Sequence, residues 1–152
     1  MDDQIAAYLD DHHAAAMITQ RPDRRVHAVR CGVAVVDGRL WSSGTQQRVR
    51  TANLRRNPEC TLFVFGASTD DPYSYLTLET TATILEGPDA PELNWSLFSA
   101  MQAGMNPPSD QLYWNGTLTS RDDFLAVMVD EQRLIYEFAI HASYGLFSTA
   151  SR

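Results

Sequence analysis

Apolar and polar residues alternate along several stretches of the chain, and this alternation predicts β-strands. The clearest stretch, 73–85 (YSYLTLETTATIL), keeps a period of two over more than ten residues, which is typical of a long half-buried strand. Three further apolar segments, 26–36 (VHAVRCGVAVV), 60–66 (CTLFVFG) and 133–140 (RLIYEFAI), also predict strands.

Turn residues separate the first strands. Arg21-Pro22-Asp23-Arg24 predicts a type I turn, because proline favours the second turn position. Asp37-Gly38 between VAVV and RLWSS is a strong hairpin signal. Three antiparallel strands should therefore open the domain. A further turn is predicted at 67–72 (ASTDDP).

Short helices are expected between the strands. Thr45 is a candidate N-cap for the second helix, which should stop before Asn57-Pro58. Ser120 with Asp123 resembles a capping box, and the segment 105–119 reads as an irregular loop. The first two helices are predicted over Ile5–Leu9 and Gln46–Arg56. The third is predicted over Pro91–Ala103, with Gly104 at its end and an apolar stripe formed by Leu93, Leu97, Ala100 and Met101. The fourth should follow Ser120 and carry Phe124, Leu125 and Met128.

The length and element pattern predict one domain over residues 1–152. A chain of 152 residues can form a single core but not two comfortable ones. Six strands with antiparallel hairpins and short helices indicate an α+β, mainly β fold, namely a six-stranded antiparallel β-barrel with short flanking helices.

The charge balance argues against nucleic acid and membranes as partners. The net charge is −7, whereas nucleic-acid binding rewards basic surfaces. No apolar run approaches the roughly 18 residues of a membrane span, and the acidic N-terminus lacks the features of a signal peptide. We therefore expect a cytoplasmic protein.

The positive charge of the chain is concentrated in one place. All 12 basic residues are arginine, and Arg48, Arg50, Arg55 and Arg56 fall within nine positions. Just before them stand small hydroxyl residues and a glycine at the end of a predicted strand. A helix start, hydroxyl donors and arginines together are suited to a phosphate, although a solvated basic helix would give the same pattern. The residues of this candidate anion site are Ser42, Ser43, Gly44, Thr45, Arg48 and Arg50.

Other chemical signatures are missing from the sequence. No dinucleotide fingerprint, Walker loop or nucleophile elbow occurs, and no acid–base pair can be named. Neither the four histidines, His12, His13, His27 and His141, nor any other group suggests a metal site. Cys31 and Cys60 lie in strand-like runs and are expected to be free and buried.

The order of these features resembles a known family. The chain resembles the flavin/deazaflavin oxidoreductases of the split β-barrel type, which include the pyridoxamine 5′-phosphate oxidase-like proteins. The resemblance rests on the order of a helix, the Asp-Gly hairpin and then the segment SSGTQQRVRTANLRRNPECTLFV. The resemblance extends from about Ile5 to Phe147. It implies the FMN-binding type of split barrel.

The resemblance also implies a homodimer with two cofactor sites at the subunit interface and a small-molecule substrate. Arg50 stands at the family's usual lysine position, Arg48 lies two residues ahead, and Val49 replaces a residue that is basic in many relatives. The implied cofactor-binding residues are Ser42, Ser43, Gly44, Thr45, Arg48, Arg50 and Asn53.

The implied cofactor is the deazaflavin coenzyme F-420, with FMN second. The chain resembles the deazaflavin-using branch more, because it lacks a C-terminal tail of basic substrate-binding residues and ends at Phe147–Arg152. An arginine cluster also suits a ligand more anionic than FMN. The expected reaction is hydride transfer to a small unsaturated substrate, with the proton from solvent. Candidate pocket walls, for which core or dimer packing is the simpler role, are Trp41, Tyr73, Tyr75, Trp95, Tyr113 and Trp114.

Two alternatives remain open at the level of sequence. The chain could bind a flavin or deazaflavin without turnover, as a carrier or sensor. It could instead handle haem, as some proteins with this barrel do, although no pair of haem ligands is evident.

Overall fold

The computed structural model describes residues 1–66 and 71–147. It has eight strands, four α-helices and one short 3₁₀ helix, Ala103–Met105, in that part of the chain. The strands are β1 (Ala14–Gln20), β2 (Val26–Val36), β3 (Arg39–Thr45), β4 (Glu59–Phe65), β5 (Tyr75–Leu85), β6 (Gln111–Trp114), β7 (Thr117–Ser120) and β8 (Arg133–Leu146). The helices are α1 (Asp3–Asp11), α2 (Val49–Arg56), α3 (Ala90–Met101) and α4 (Arg121–Asp130).

Six of the strands form a closed antiparallel barrel in the order β1-β2-β3-β8-β5-β4. This confirms the predicted mainly β fold. The opening meander is also as predicted, because Asp37 and Gly38 adopt φ 49° and 75° in the β2–β3 hairpin. The Arg24 N–H donates to the Arg21 carbonyl at 3.0 Å, which closes the predicted first turn.

The barrel interior follows from the period-two patterns. Alternate residues of β1 and β4 are buried in the barrel core, and α1 contributes Ile5, Tyr8 and Leu9 to the same core. Helix α3 packs outside the barrel with Leu97 against Trp41 and Ile135, and its predicted apolar stripe faces the barrel. Both cysteines are buried and free, as expected.

The second helix begins later than predicted. It starts at Val49 rather than Gln46, and its N-cap is Arg48, which makes no side-chain capping bond. Thr45 is therefore not the cap. It belongs to β3, where it pairs with Arg133 of β8. Strand pairing across the barrel takes precedence over the local capping preference of threonine.

The segment 105–119 is not wholly irregular, contrary to the prediction. Its second half forms the β6–β7 hairpin, whose turn residues Asn115 and Gly116 have φ 49° and 76°. Helix α3 ends at Met101, and Gly104 lies in the short 3₁₀ helix that follows it. Ser120 caps α4 as predicted, since its Oγ accepts from the Asp123 N–H at 3.2 Å.

Two predicted features lie wholly or partly outside the described residues. They are the turn at 67–72, of which residues 67–70 are not described, and the C-terminal residues 148–152. Within the described residues, no helix combines the length and apolar character that crossing a membrane requires.

Candidate functional site

The candidate site lies where β3 passes into α2. Arg50 lies in the first turn of the helix and reaches back over the strand end, so that its Nη2 donates to the Ser43 carbonyl at 3.1 Å. Its guanidinium also lies 5.8 Å from the ring centroid of Tyr136. The helix and strand together therefore fix the position of one positive charge.

Arg50 has an unused donor. Its Nε is buried and has no hydrogen-bond partner in the described part of the chain. A buried unpaired donor costs roughly 1–3 kcal/mol, and a bound acceptor would remove that cost. An anion on Arg50 is therefore favoured by more than charge alone.

The start of α2 adds further donors. Among the described residues, the N–H groups of Val49 and Arg50 have no hydrogen-bond acceptor, as is usual in the first turn of a helix. Arg48 is exposed, and its guanidinium makes no hydrogen bond or ion pair within the described residues. An anionic ligand could therefore meet the guanidinium groups of Arg48 and Arg50 and the N–H groups of the helix start.

The other two clustered arginines are engaged in the protein. Arg55 forms an ion pair with Glu86 at 2.8 Å and donates to the Gln46 Oε1 at 2.9 Å. Arg56 donates to the Gln20 carbonyl at 2.7 Å. These two side chains hold α2 in place, so Arg48 and Arg50 are the members of the cluster that remain as candidates for the site.

The hydroxyl groups of Ser42 and Ser43 also form hydrogen bonds within the protein. Ser42 donates its Oγ proton to the Gly32 carbonyl at 2.7 Å. Ser43 donates to Oδ1 of the buried Asn94 on α3 at 2.5 Å. Both serines therefore position the strand end, and a ligand would have to displace these bonds to use their protons.

Gly44 is required for close packing rather than for ligand approach. A side chain there would overlap the phenol of Tyr136, which is fully buried in the barrel. The Tyr136 hydroxyl lies 2.5 Å from Thr51 Oγ1, which donates to the Thr45 carbonyl at 2.7 Å. This chain of contacts joins β8, the start of α2 and the end of β3.

Asn53 positions the helix. Its buried amide donates to Thr19 Oγ1 at 3.0 Å and so joins α2 to β1. Its Oδ1 accepts from Arg56 at 3.2 Å. Both ends of the amide are therefore used within the protein.

A third arginine near Ser43 was missed by sequence reasoning. Arg133 begins β8, and its Nη1 lies 3.4 Å from Ser43 Oγ, while its Nη2 pairs with Glu131 at 3.2 Å. Its guanidinium lies 5.1 Å from the Trp114 ring centroid, and its buried Nε has no partner among the described residues. The sequence gives no local signal for this arginine, because the β3–β8 pairing brings it to the site.

The electrostatic effect of Arg50 reaches into the barrel. Burial, together with the charges of Arg21 and Arg50, lowers the pKa of His27. Burial raises the pKa of Cys31, although the Ser42 hydrogen bond and Arg50 oppose the rise, and burial raises the pKa of Cys60 to about 12. Both thiols are therefore protonated at neutral pH and are poor nucleophiles.

Of the six aromatic candidates, Trp41 is buried, Tyr73 is exposed and the other four are half-buried. Trp41 lies under α3 and donates to Glu137 at 2.9 Å, and Trp95 and Trp114 contact Phe124. Tyr73 is 83% exposed. Among the described residues, no group of three His, Cys, Asp or Glu side chains could hold a metal ion.

The closed six-stranded barrel with an arginine-bearing helix after its third strand defines the class of protein, a split β-barrel of the FMN-binding type. Residues 1–118 match the family described as pyridoxamine 5′-phosphate oxidase, and the chain belongs to that family. No protein with a curated description matches the chain in sequence.

Solved structures confirm the fold at low identity. An F420 reductase has 19% identity and a TM-score of 0.65, over 95% of this chain and 98% of that one. A conserved hypothetical protein from Mycobacterium tuberculosis has 19% identity and a TM-score of 0.69, over 95% and 84%. A haem storage protein from Vibrio cholerae has 11% identity and a TM-score of 0.63, over 92% and 90%. At these identities the likeness shows the fold alone.

Proposed function

We propose that the protein is a cytoplasmic oxidoreductase that binds coenzyme F-420, with FMN as the second candidate, through the phosphate of the cofactor. The observation that carries the proposal is the buried, unpaired Nε of Arg50 beside the free N–H groups of α2. Arg48 and Arg50 would hold the phosphate, while the two serines, Gly44 and Asn53 keep the strand end and helix in place.

The bound cofactor would supply the redox chemistry by transferring hydride to a small unsaturated substrate. The protein supplies the anion-binding donors and the fixed frame around them. We propose that the proton of the reaction comes from solvent. F-420 is preferred over FMN because it carries more negative charge and Arg48 remains unpaired within the described residues.

We further propose that the protein is a homodimer. The outer faces of β4, β5 and β8 bring Phe63, Thr77 and Tyr144 into one row, with Phe65, Tyr75 and Leu146 in the next. Tyr144 and Leu146 are 56% and 63% exposed. An exposed sheet face of this kind is suited to a second copy of the chain, as the dimers of this family would require.

The Asn53–Thr19 bond relates this face to the candidate site. It joins α2 to the end of β1, and the residue before Thr19, Ile18, lies on the outer face beside Thr61 of β4. The bond therefore ties the helix of the candidate site to a strand that borders the proposed dimer face.

The test is a fluorescence titration of the purified protein with F-420, FMN and haem, repeated with Arg50→Gln. Loss of one charged hydrogen bond should weaken flavin or deazaflavin binding about ten- to a hundredfold. Arg39→Gln removes the same charge from an exposed arginine that pairs with Glu137, and it should leave binding unchanged.

Each alternative has its own outcome. Tight binding without reduction of any substrate in a broad screen would support a carrier. Binding of haem alone would replace the proposal with haem handling. Unchanged cofactor affinity in Arg50→Gln would overturn the phosphate assignment.

A further inference from the structure

A cavity of about 240 Å³ lies beside the candidate phosphate site, between the β3–α2 turn, the segment before α3 and the end of α4. Its apolar lining includes Pro88, Pro91 and Met128, and its polar side chains come from Gln46, Gln132 and Arg133. None of the described residues that line it carries a carboxylate, although the chain has 19 acidic residues. Arg133 is the one charged side chain among these lining residues, and its charge is partly offset by Glu131.

Both glutamines present donors to a ligand. The Oε1 of Gln46 accepts from Arg55, and the Oε1 of Gln132 accepts from the side-chain amide of Gln47. Because the acceptor end of each amide is used, the NH₂ end of each remains for a ligand within the described part of the chain. A backbone bond of 3.2 Å from the Gln46 N–H to the Gln132 carbonyl holds the two residues side by side.

Arg133 adds a charged donor to the same cavity. Its buried Nε has no partner among the described residues, and its charge is shared with Glu131 at 3.2 Å. Two amides and a guanidinium with free N–H groups match a ligand that offers only acceptors. A carboxylate is such a group.

We propose that this cavity is a carboxylate subsite, distinct from the phosphate site at Arg48 and Arg50, in which Gln46, Gln132 and Arg133 bind a carboxylate of the ligand. The carboxylate could come from the acidic tail of the cofactor, in which case the inference rests on the proposed function, or from a separate small carboxylic acid. Glu131 competes with either one for Arg133.

The experiment follows the side-chain amide NMR signals of Gln46 and Gln132 in ¹⁵N-labelled full-length protein. The probes are deazaflavin 5′-phosphate, F-420 with its glutamate tail, FMN and the dipeptide γ-glutamylglutamate. We expect F-420 to shift both amides and the two tail-free flavins to leave them in place. If the dipeptide added without any flavin also shifts the amides, the subsite binds a free carboxylate as well.

Two substitutions should change the affinity for F-420 in opposite directions. Gln132→Glu places a carboxylate in the cavity and should weaken F-420 binding about tenfold or more without changing FMN binding. Glu131→Gln removes the competitor of the ligand and should tighten F-420 binding. Gln4→Glu, on α1 and outside the cavity lining, is the matched control and should have no effect.

The outcomes separate this inference from the proposed function. If FMN and deazaflavin 5′-phosphate bind but F-420 and the dipeptide leave the amides unshifted, the subsite is wrong and the proposed function stands. If the dipeptide shifts the amides and no flavin binds, the subsite stands and the proposed function fails. If F-420 affinity is the same in wild type, Gln132→Glu and Glu131→Gln, the subsite does not bind the cofactor tail.

Discussion

At the scale of single residues, Ser43 is the meeting point of the candidate site. Arg50 reaches its carbonyl and Arg133 approaches its hydroxyl, and each arginine keeps one buried Nε without a partner among the described residues. Unpaired buried donors in a folded protein call for a physical reason, and ligand binding is one. The first of these arginines could be predicted from the sequence, since it lies in a basic cluster after small hydroxyl residues.

Arg133 could not be predicted, because an isolated arginine before an apolar strand gives no local signal. Its closeness to Ser43 depends on the pairing of Thr45 with Arg133 across 88 positions of the chain, a register set by the barrel. The sequence likewise gives no sign of the hydrogen bonds that Ser42 and Ser43 make within the protein. Their acceptors, the Gly32 carbonyl and the Asn94 side chain, lie 10 and 51 positions away in the chain.

The close approach of Gly44 to Tyr136 gives a prediction on stability. Gly44→Ala would place a methyl group against a fully buried phenol and should lower the free energy of unfolding by about 1–3 kcal/mol. Urea denaturation measures the change. Gly104→Ala, where a methyl group meets nothing within 4 Å, should change it little, and equal effects at the two positions would contradict the packing role.

At the scale of elements, the strands were predictable and the boundaries of the site were not. Period-two patterns identify the barrel strands, and the Asp37-Gly38 turn identifies the first hairpin. The predicted start of α2 is wrong, because Thr45 has the side chain of a helix cap but belongs to β3. The β6–β7 hairpin was missed although Asn115-Gly116 is a hairpin signal, because its strands have only four residues each.

Helix α3 gives a prediction at this scale. The buried Asn94 accepts from Ser43 and donates to the Ala90 carbonyl at 2.9 Å, so it joins the helix to the strand end of the site. Asn94→Ala should destabilise the protein by about 1–3 kcal/mol and should also weaken cofactor binding. Ser96→Ala on the same helix removes only a local bond to Glu92 and serves as the control. Unaltered stability and affinity in Asn94→Ala would show that this contact does not position Ser43.

At the scale of the whole molecule, an acidic protein brings three arginines, Arg48, Arg50 and Arg133, to one end of β3. The net charge of the protein is −7, so most of its surface should repel anions, whereas these arginines should attract them to one place. The charge pattern was visible in the sequence only in part. Folding engages Arg55 and Arg56 in the protein and adds Arg133 from β8.

The exposed sheet face gives a prediction on assembly. Tyr144→Glu should convert the protein from a dimer to the 17.0 kDa monomer in sedimentation equilibrium, and it should weaken cofactor binding. Because Tyr144 is 56% exposed, the monomer should stay folded by circular dichroism. Met105→Glu changes an equally exposed apolar residue on the 3₁₀ helix and should leave the dimer intact. A wild-type protein that is monomeric would contradict the proposal directly.

Calorimetric titration with matched ligands would show whether the end of β3 and the start of α2 hold a cofactor phosphate. The measurement compares deazaflavin 5′-phosphate with the same deazaflavin lacking phosphate, and FMN with riboflavin, in wild type and Arg50→Gln. We predict that the phosphate improves affinity about tenfold or more in the wild type and that most of this advantage is lost in Arg50→Gln. Equal affinities with and without phosphate in the wild type, or an advantage that persists in the variant, would show that Arg50 and the start of α2 do not bind the phosphate.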